Sequence, residues 1–193
     1  AINDGVIKNN INSNQFFVLK NGKKSALTFY NKQKNSFARV EKINCFGIKP
    51  KNAEQAVAME ALSNPDRNLV TLQGVAGTGK TLLSLATALS QHHDYHHIFL
   101  ARPVVPLSNK DIGYLPGDAG AKLNPYMEPL WDNLSYIKNQ FSFDNREYLE
   151  IEEMQRMEKI VVCPLAYIRG RSLSNVFFIV DEERERETER IHR

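Results

Sequence analysis

Residues Gly74-Val75-Ala76-Gly77-Thr78-Gly79-Lys80-Thr81 fit the spacing G-x-x-x-x-G-K-[ST] in full. Each part of that spacing has a chemical reason. Glycines at 74, 77 and 79 let the backbone curl closely around an anion and turn its N–H groups inward. A helix starting at the end of the motif would aim its positive N-terminus at the same anion. Lys80 is placed to reach the β- and γ-phosphates of a nucleoside triphosphate, and the Thr81 hydroxyl to hold Mg²⁺. The expected nucleotide-binding residues run from Gly74 through Val75, Ala76, Gly77, Thr78, Gly79, Lys80 and Thr81 to Leu82.

Such a loop needs an acid on the metal side. The five apolar residues of Val176-Phe177-Phe178-Ile179-Val180 lead into Asp181-Glu182. An apolar strand ending in Asp puts a carboxylate at the C-terminal edge of a sheet, where open α/β folds bind ligands. Asp181 is therefore expected to share Mg²⁺ with Thr81. Glu182 is expected to be the general base that orients and activates water. Lys80, Asp181 and Glu182 are the expected catalytic residues.

The elements that must carry these residues follow from the apolar pattern. Leu69 to Leu72 reads as the strand before the loop, and residues 79–90 as the helix after it. Ile98 to Ala101, Ile160 to Cys163 and Val176 to Val180 are continuous apolar runs that read as buried strands. Pro125 to Ile137 and Asn145 to Met157 read as helices. Apolar strands alternating with helices predict a parallel sheet covered by helices on both faces, an α/β fold of the P-loop NTPase kind. Asn52 is set to cap a helix running to Leu62, with Gln55 at the capping-box position. Upstream, Phe16 to Leu19, Ala26 to Tyr30 and Phe37 to Ile43 read as short strands, with Asn21-Gly22 suited to the first turn. The expected division is a basic β-rich appendage over 1–46, a P-loop core over 47–182 and a charged tail over 183–193.

The chain has 193 residues and a formal net charge of +3. Residues 1–51 hold ten Lys or Arg against two Asp or Glu, and residues 52–193 hold fifteen against twenty. A basic front on a mildly acidic domain suits a polyanion such as RNA, or simply a solvated linker rich in Lys and Asn. No apolar run reaches the roughly 20 residues of a membrane span. Two cysteines, Cys45 and Cys163, have no second Cys or His at metal-ligand spacing and read as reduced thiols of a cytoplasmic protein. His92, His93, His96 and His97 read as a solvated turn between a helix and a strand. Trp131 reads as core, and Tyr114, Tyr126 and Tyr167 as possible base-stacking surfaces.

Three further segments carry a resemblance to a known family. They are Gly47-Ile48-Lys49-Pro50-Lys51-Asn52-Ala53-Glu54-Gln55, then Arg102-Pro103-Val104-Val105-Pro106 through Asp111-Ile112-Gly113-Tyr114-Leu115-Pro116-Gly117-Asp118, and Pro164-Leu165-Ala166-Tyr167-Ile168-Arg169-Gly170-Arg171-Ser172. With the loop and Asp181-Glu182, they make residues 45 to 182 resemble the ATPase domain of the PhoH-like proteins, relatives of superfamily-one helicases. Residues before 45 resemble the connector of the subgroup whose N-terminal part is a PIN nuclease domain, which is not in this sequence. The resemblance implies an ATPase coupled to RNA binding or unwinding, with single-stranded RNA as partner and a hexameric ring as assembly. It implies that Gln55 reads adenine, that Arg102 lies near the nucleic-acid groove, and that Arg169 and Arg171 contact RNA phosphate or the γ-phosphate.

The resemblance stops at Asp181-Glu182. The family continues with Ala-Gln-Asn, whereas Glu183 and Arg184 follow here, and the family's later motifs do not appear. The C-terminal part of the core is thus expected to be missing, which bears on turnover more than on the phosphate cradle. Two other functions fit a P-loop: a nucleotide-binding module without hydrolysis, and a small-molecule kinase. The second would carry an Arg-rich lid, and no clear lid shows.

Overall fold

The computed structural model describes residues 11–12, 14–104 and 119–181, with side-chain surroundings left out for 119–124. The chain divides into two compact units, one drawn from residues 1–44 and 48–72, the other from 45–47 and 73–193.

In the first unit, β1 (Phe16–Asn21), β2 (Lys24–Asn31) and β3 (Ser36–Arg39) form an antiparallel sheet in the order β1-β2-β3. Asn21 pairs with Lys24, so the first turn is Gly22-Lys23, one residue later than the Asn-Gly pair suggested. Gly22 takes a φ of +58°, a value that glycine adopts without a side-chain clash. The third strand stops at Arg39 rather than Ile43. Helix α1 (Ala53–Ser63) groups with this sheet, and Ala56 joins Phe29 and Val40 in a small core flanked by Phe16, Leu27 and Ala38. Asn52 caps α1 by accepting the Gln55 N–H at 2.8 Å. The reciprocal half of the capping box is shifted: the Gln55 side-chain oxygen accepts from the N–H of Lys51, not from that of Asn52.

Arg67 closes this unit. Its guanidinium lies 5.6 Å from the Phe16 ring centre and 5.1 Å from that of Phe29, and bonds Glu60 at 2.9 Å. The two side chains are only 6% and 16% exposed. Breaking a buried pair on one side strands a charge away from water, so Arg67→Ala is expected to destabilise the protein by about 3–5 kcal/mol. Arg67→Met combined with Glu60→Leu removes both charges and should cost less. Equilibrium urea unfolding separates the cases, and a single-variant loss below about 1 kcal/mol would contradict the burial argument.

The second unit is built on a parallel sheet. β4 (His97–Arg102) is central, with β5 (Ile160–Pro164) on one edge and β6 (Val176–Val180) on the other. Ile98, Phe99, Leu100 and Ala101 are all buried, as a central strand of continuous apolar residues requires. Helices flank the sheet. α2 (Lys80–Ser90) meets β4 and β6, α3 (Ala119–Lys138) meets β4 and β5, and α4 (Arg146–Arg156) meets α3. Met127, Leu130, Leu134 and Ile137 recur at helical spacing and are buried.

Three expectations change here. Residues 69–72 are not a strand: they pair with no strand among the described residues, and Leu69 is 87% exposed. A strand exists only with a ladder partner, and 69–72 has none among the described residues. Helix α3 starts at Ala119, six residues before Pro125, and runs through both Pro125 and Pro129. Proline inside a helix costs an N–H bond, and here the buried stripe along α3 outweighs that cost. Trp131 sits beside the stripe rather than in it and is 37% exposed, so it is not core.

Burial pushes the Cys45 thiol up, with hydrogen bonds to Ser90 and Thr87 pulling the other way. Burial also pushes the Cys163 thiol up, against the nearby Arg171 charge. Both therefore stay as unreactive thiols at neutral pH, and neither forms a disulfide. Among the described residues, no helix is long and apolar enough to cross a membrane.

Candidate nucleotide site

The loop at 74–81 has the backbone that its glycines allow. Gly77 and Gly79 take φ values of +76° and +86°, in the left-handed region that a side chain resists. A Cβ on Gly77 would meet nothing within 4 Å, so its glycine is required by the turn and not by crowding. A Cβ on Gly74 would lie 3.4 Å from the Thr78 hydroxyl. That hydroxyl donates to the Val75 carbonyl at 2.9 Å and tightens the turn.

Gly79 is the N-cap of α2, and no side chain caps it. The first turn of α2 also carries no acidic residue. Its leading N–H groups and the positive helix end are therefore directed at the loop interior, without a carboxylate of the same helix to neutralise them. Lys80 arches back over the loop, its ammonium donating to the carbonyls of Gly74 at 2.9 Å and Val75 at 3.0 Å. Positive charge and N–H donors thus converge on one small cradle, which suits phosphate.

Beside it, residues one hundred positions apart in sequence meet. The Thr81 hydroxyl donates to one Asp181 carboxylate oxygen at 2.5 Å. The Asp181 N–H donates to the Ala101 carbonyl at 2.8 Å, which extends the β4–β6 ladder by one step. This backbone bond sets the acid just past the C-terminal end of β6, beside the start of α2. The Asp181 side chain is 15% exposed. A hydroxyl and a carboxylate are hard oxygen donors, and their convergence fits Mg²⁺ rather than a softer metal.

Arg102 is held by the same acid. It ends β4, and its guanidinium grips the second Asp181 oxygen through Nη2 at 2.8 Å and Nε at 3.2 Å. Both nitrogens on one carboxylate oxygen, with the Arg102 side chain 14% exposed, make this a fixed pair rather than a surface contact. The spacing of Arg102 to Asp181 gave no signal for it. Only the parallel pairing of β4 with β6 brings the two strand ends side by side.

The other expected residues spread out. Arg171 lies with its guanidinium 5.5 Å from the Phe99 ring centre, in a pocket that also includes His96, His97 and Val176. That pocket is at the starting ends of the strands, so Arg171 is not gathered with Asp181. Arg169 and Arg171 are both exposed and flank Gly170, whose φ is +79°. Tyr167 is 56% exposed, while Tyr126 is half-buried. Gln55, within the first unit, is engaged at the start of α1 as described above. Glu182, Tyr114 and the tail lie outside the described residues.

A family model and several curated relatives match this chain. A model of the family described as PhoH-like protein matches residues 47–193. The matched span takes in α1. Protein PhoH2 of Bacillus subtilis is 42% identical over 178 residues, which is 88% of this chain and 39% of that protein. Protein PhoH2 of Thermobispora bispora is 34% identical over 140 residues, covering 71% of this chain and 30% of that protein. A PhoH-like protein of Synechocystis is 40% identical over 111 residues, covering 56% of this chain and 31% of that protein. The chain therefore spans two fifths or less of the length of these relatives.

Proposed function

The chain belongs to the PhoH-like family, and from that premise we propose that it binds ATP with Mg²⁺ and hydrolyses it in response to single-stranded RNA. The P-loop makes it a nucleotide-binding domain of the P-loop NTPase type. The observation that carries the finer reading is the meeting of Thr81 and Asp181 at 2.5 Å beside an uncapped, acid-free helix start.

The roles we assign are these. N–H groups of Gly74 to Thr81 and the start of α2 bind the phosphates, with Leu82 completing the first turn. Lys80 exchanges its two loop carbonyls for phosphate oxygens and offsets the charge that builds up there during transfer. Thr81 and Asp181 hold Mg²⁺, which when bound neutralises the β- and γ-oxygens. Glu182, next along the chain, takes a proton from the attacking water. Gln55 reads adenine, because an amide can both donate to and accept from its edge. RNA phosphates are met at the C-terminal strand ends by Arg102 and Arg169, with Arg171, at the other ends of the strands, as a separate candidate contact, and the assembly is a ring of copies of this chain.

Arg102 gives the coupling a physical form. An arginine and a magnesium ion compete for the charge of one carboxylate. Asp181 would hold the metal with Thr81 while also pairing with Arg102, so Arg102 is the side chain placed to turn from that carboxylate to a nucleic-acid phosphate. The test is ATP hydrolysis by this chain with and without single-stranded RNA. Stimulation by RNA is expected, and no hydrolysis under either condition would overturn the reading. In the same assay, Arg102→Ala is expected to lower the fold-stimulation by RNA about tenfold, the loss of one charge-assisted contact. An unchanged stimulation ratio would remove Arg102 from the coupling.

A further inference from the structure

The four histidines of the 92–97 stretch do not stay together. The backbone N–H of His96 donates to the Asn175 carbonyl at 2.8 Å, and the His97 ring packs 6.0 Å from that of Phe99. His92 and His93 instead turn towards α4. One ligand atom each from His92, His93 and Glu150 lies within 4.8 Å of the other two. Their separation in sequence hides this, since Glu150 is an ordinary surface position of a charged helix.

We propose that His92, His93 and Glu150 form a binding site for a divalent transition metal of the zinc class, separate from the nucleotide site. Two imidazoles and a carboxylate are the donors that such an ion prefers. Tetrahedral bonds of about 2.0–2.1 Å set donor atoms about 3.4 Å apart, so side-chain rotations of little more than about 1 Å complete the set. His93 is exposed and Glu150 half-buried, which leaves both side chains room for that movement.

Three details prepare the site. His92 Nδ1 lies 2.7 Å from the Leu89 carbonyl. A carbonyl only accepts, so Nδ1 carries the hydrogen and Nε2 keeps the lone pair that a metal needs. This is the way a backbone carbonyl commonly fixes a ligating histidine. The Phe46 ring meets the His92 ring edge-on, at 6.1 Å between centres, and limits its rotation. Arg146 Nε holds Glu150 Oε1 at 2.8 Å, which orients the carboxylate and leaves its second oxygen to bind. The Arg146 side chain is largely in water, which weakens its hold on the carboxylate against a metal.

The place in the fold also favours a cation. α2 ends at Ser90 with no basic residue in its last turn, and His92 and His93 follow directly. The negative end of that helix therefore faces the site without a counter-charge of its own. A bound ion would tie the far end of the phosphate-loop helix to α4.

Zinc chloride titrated into this chain, in competition with a chromophoric chelator, tests the proposal. One zinc per chain is expected, together with a rise in melting temperature. His93→Gln and Glu150→Gln should each weaken binding about tenfold or more. A His96→Gln/His97→Gln double variant should bind as the parent does. Both sets of substitutions lie on the surface, and circular dichroism without metal checks that each variant folds. Parent chain without stoichiometric zinc, zinc affinity unchanged by Glu150→Gln, or affinity lost in the His96/His97 variant would each overturn the site.

Discussion

Glu182→Gln is expected to leave ATP bound and to slow its hydrolysis by about 10²–10⁴-fold, the usual contribution of a positioned general base. The substitution keeps the size of the side chain and its ability to hydrogen-bond a water, but removes the proton acceptor. The adjoining machinery stays intact: Asp181 is held at the end of the ladder by the Ala101 carbonyl, and its carboxylate remains shared between Thr81 and Arg102. ATP affinity measured by titration should therefore match that of the parent chain, while steady-state turnover falls. Equal turnover would assign the base elsewhere. A joint loss of affinity and turnover would make Glu182 part of the metal-binding set.

Lys80→Ala should lower both ATP binding and turnover, because it strikes the ground state and the transition state together. In the present structure the Lys80 ammonium spans the loop from the Gly74 to the Val75 carbonyl. Its replacement removes the one full positive charge that α2 offers to the cradle, since the first turn holds no other charged side chain apart from Lys80 itself. Loss of a single preorganised donor to developing charge costs about 10²–10³ in rate. Loss of ground-state phosphate contacts adds a weakening of ATP binding. Alanine is a strong helix former, so α2 should persist and the unfolding midpoint should stay within the range of surface changes, about 0.5 kcal/mol. ATP binding and turnover equal to those of the parent chain would mean that the loop is not the phosphate site.

Much of the site could be read from the sequence because its parts are local or follow a strong pattern. Eight consecutive residues encode the loop, and five apolar residues encode the strand that carries Asp181. The step from those two patterns to the meeting of Thr81 and Asp181 required only that β6 and α2 lie side by side in a parallel fold. The Thr81–Asp181 distance is what that arrangement produces.

What could not be read depends on partners far away in the chain. The pairing of Arg102 with Asp181 is one case, because Asp181 lies beyond two helices and two strands. Leu69 to Leu72 has the composition of a strand, but composition does not supply the neighbour that a strand needs. The start of α3 was hidden by Pro125, which usually marks a helix beginning and here lies inside one. Trp131 was assigned by its size, whereas the buried face of α3 is set by Met127, Leu130, Leu134 and Ile137. The His92–His93–Glu150 group was invisible for the same reason as Arg102: adjacency in space came from the packing of α4, and a surface Glu carries no local signal.

The most direct measurement is steady-state ATP hydrolysis by this chain in Mg²⁺, with and without single-stranded RNA, alongside Lys80→Ala and Glu182→Gln. The account predicts turnover that RNA raises and that both variants lose, with ATP still bound by the Glu182→Gln protein. ATP bound by the parent chain but not turned over, with RNA or without it, would contradict the account and leave the domain as a nucleotide-binding module.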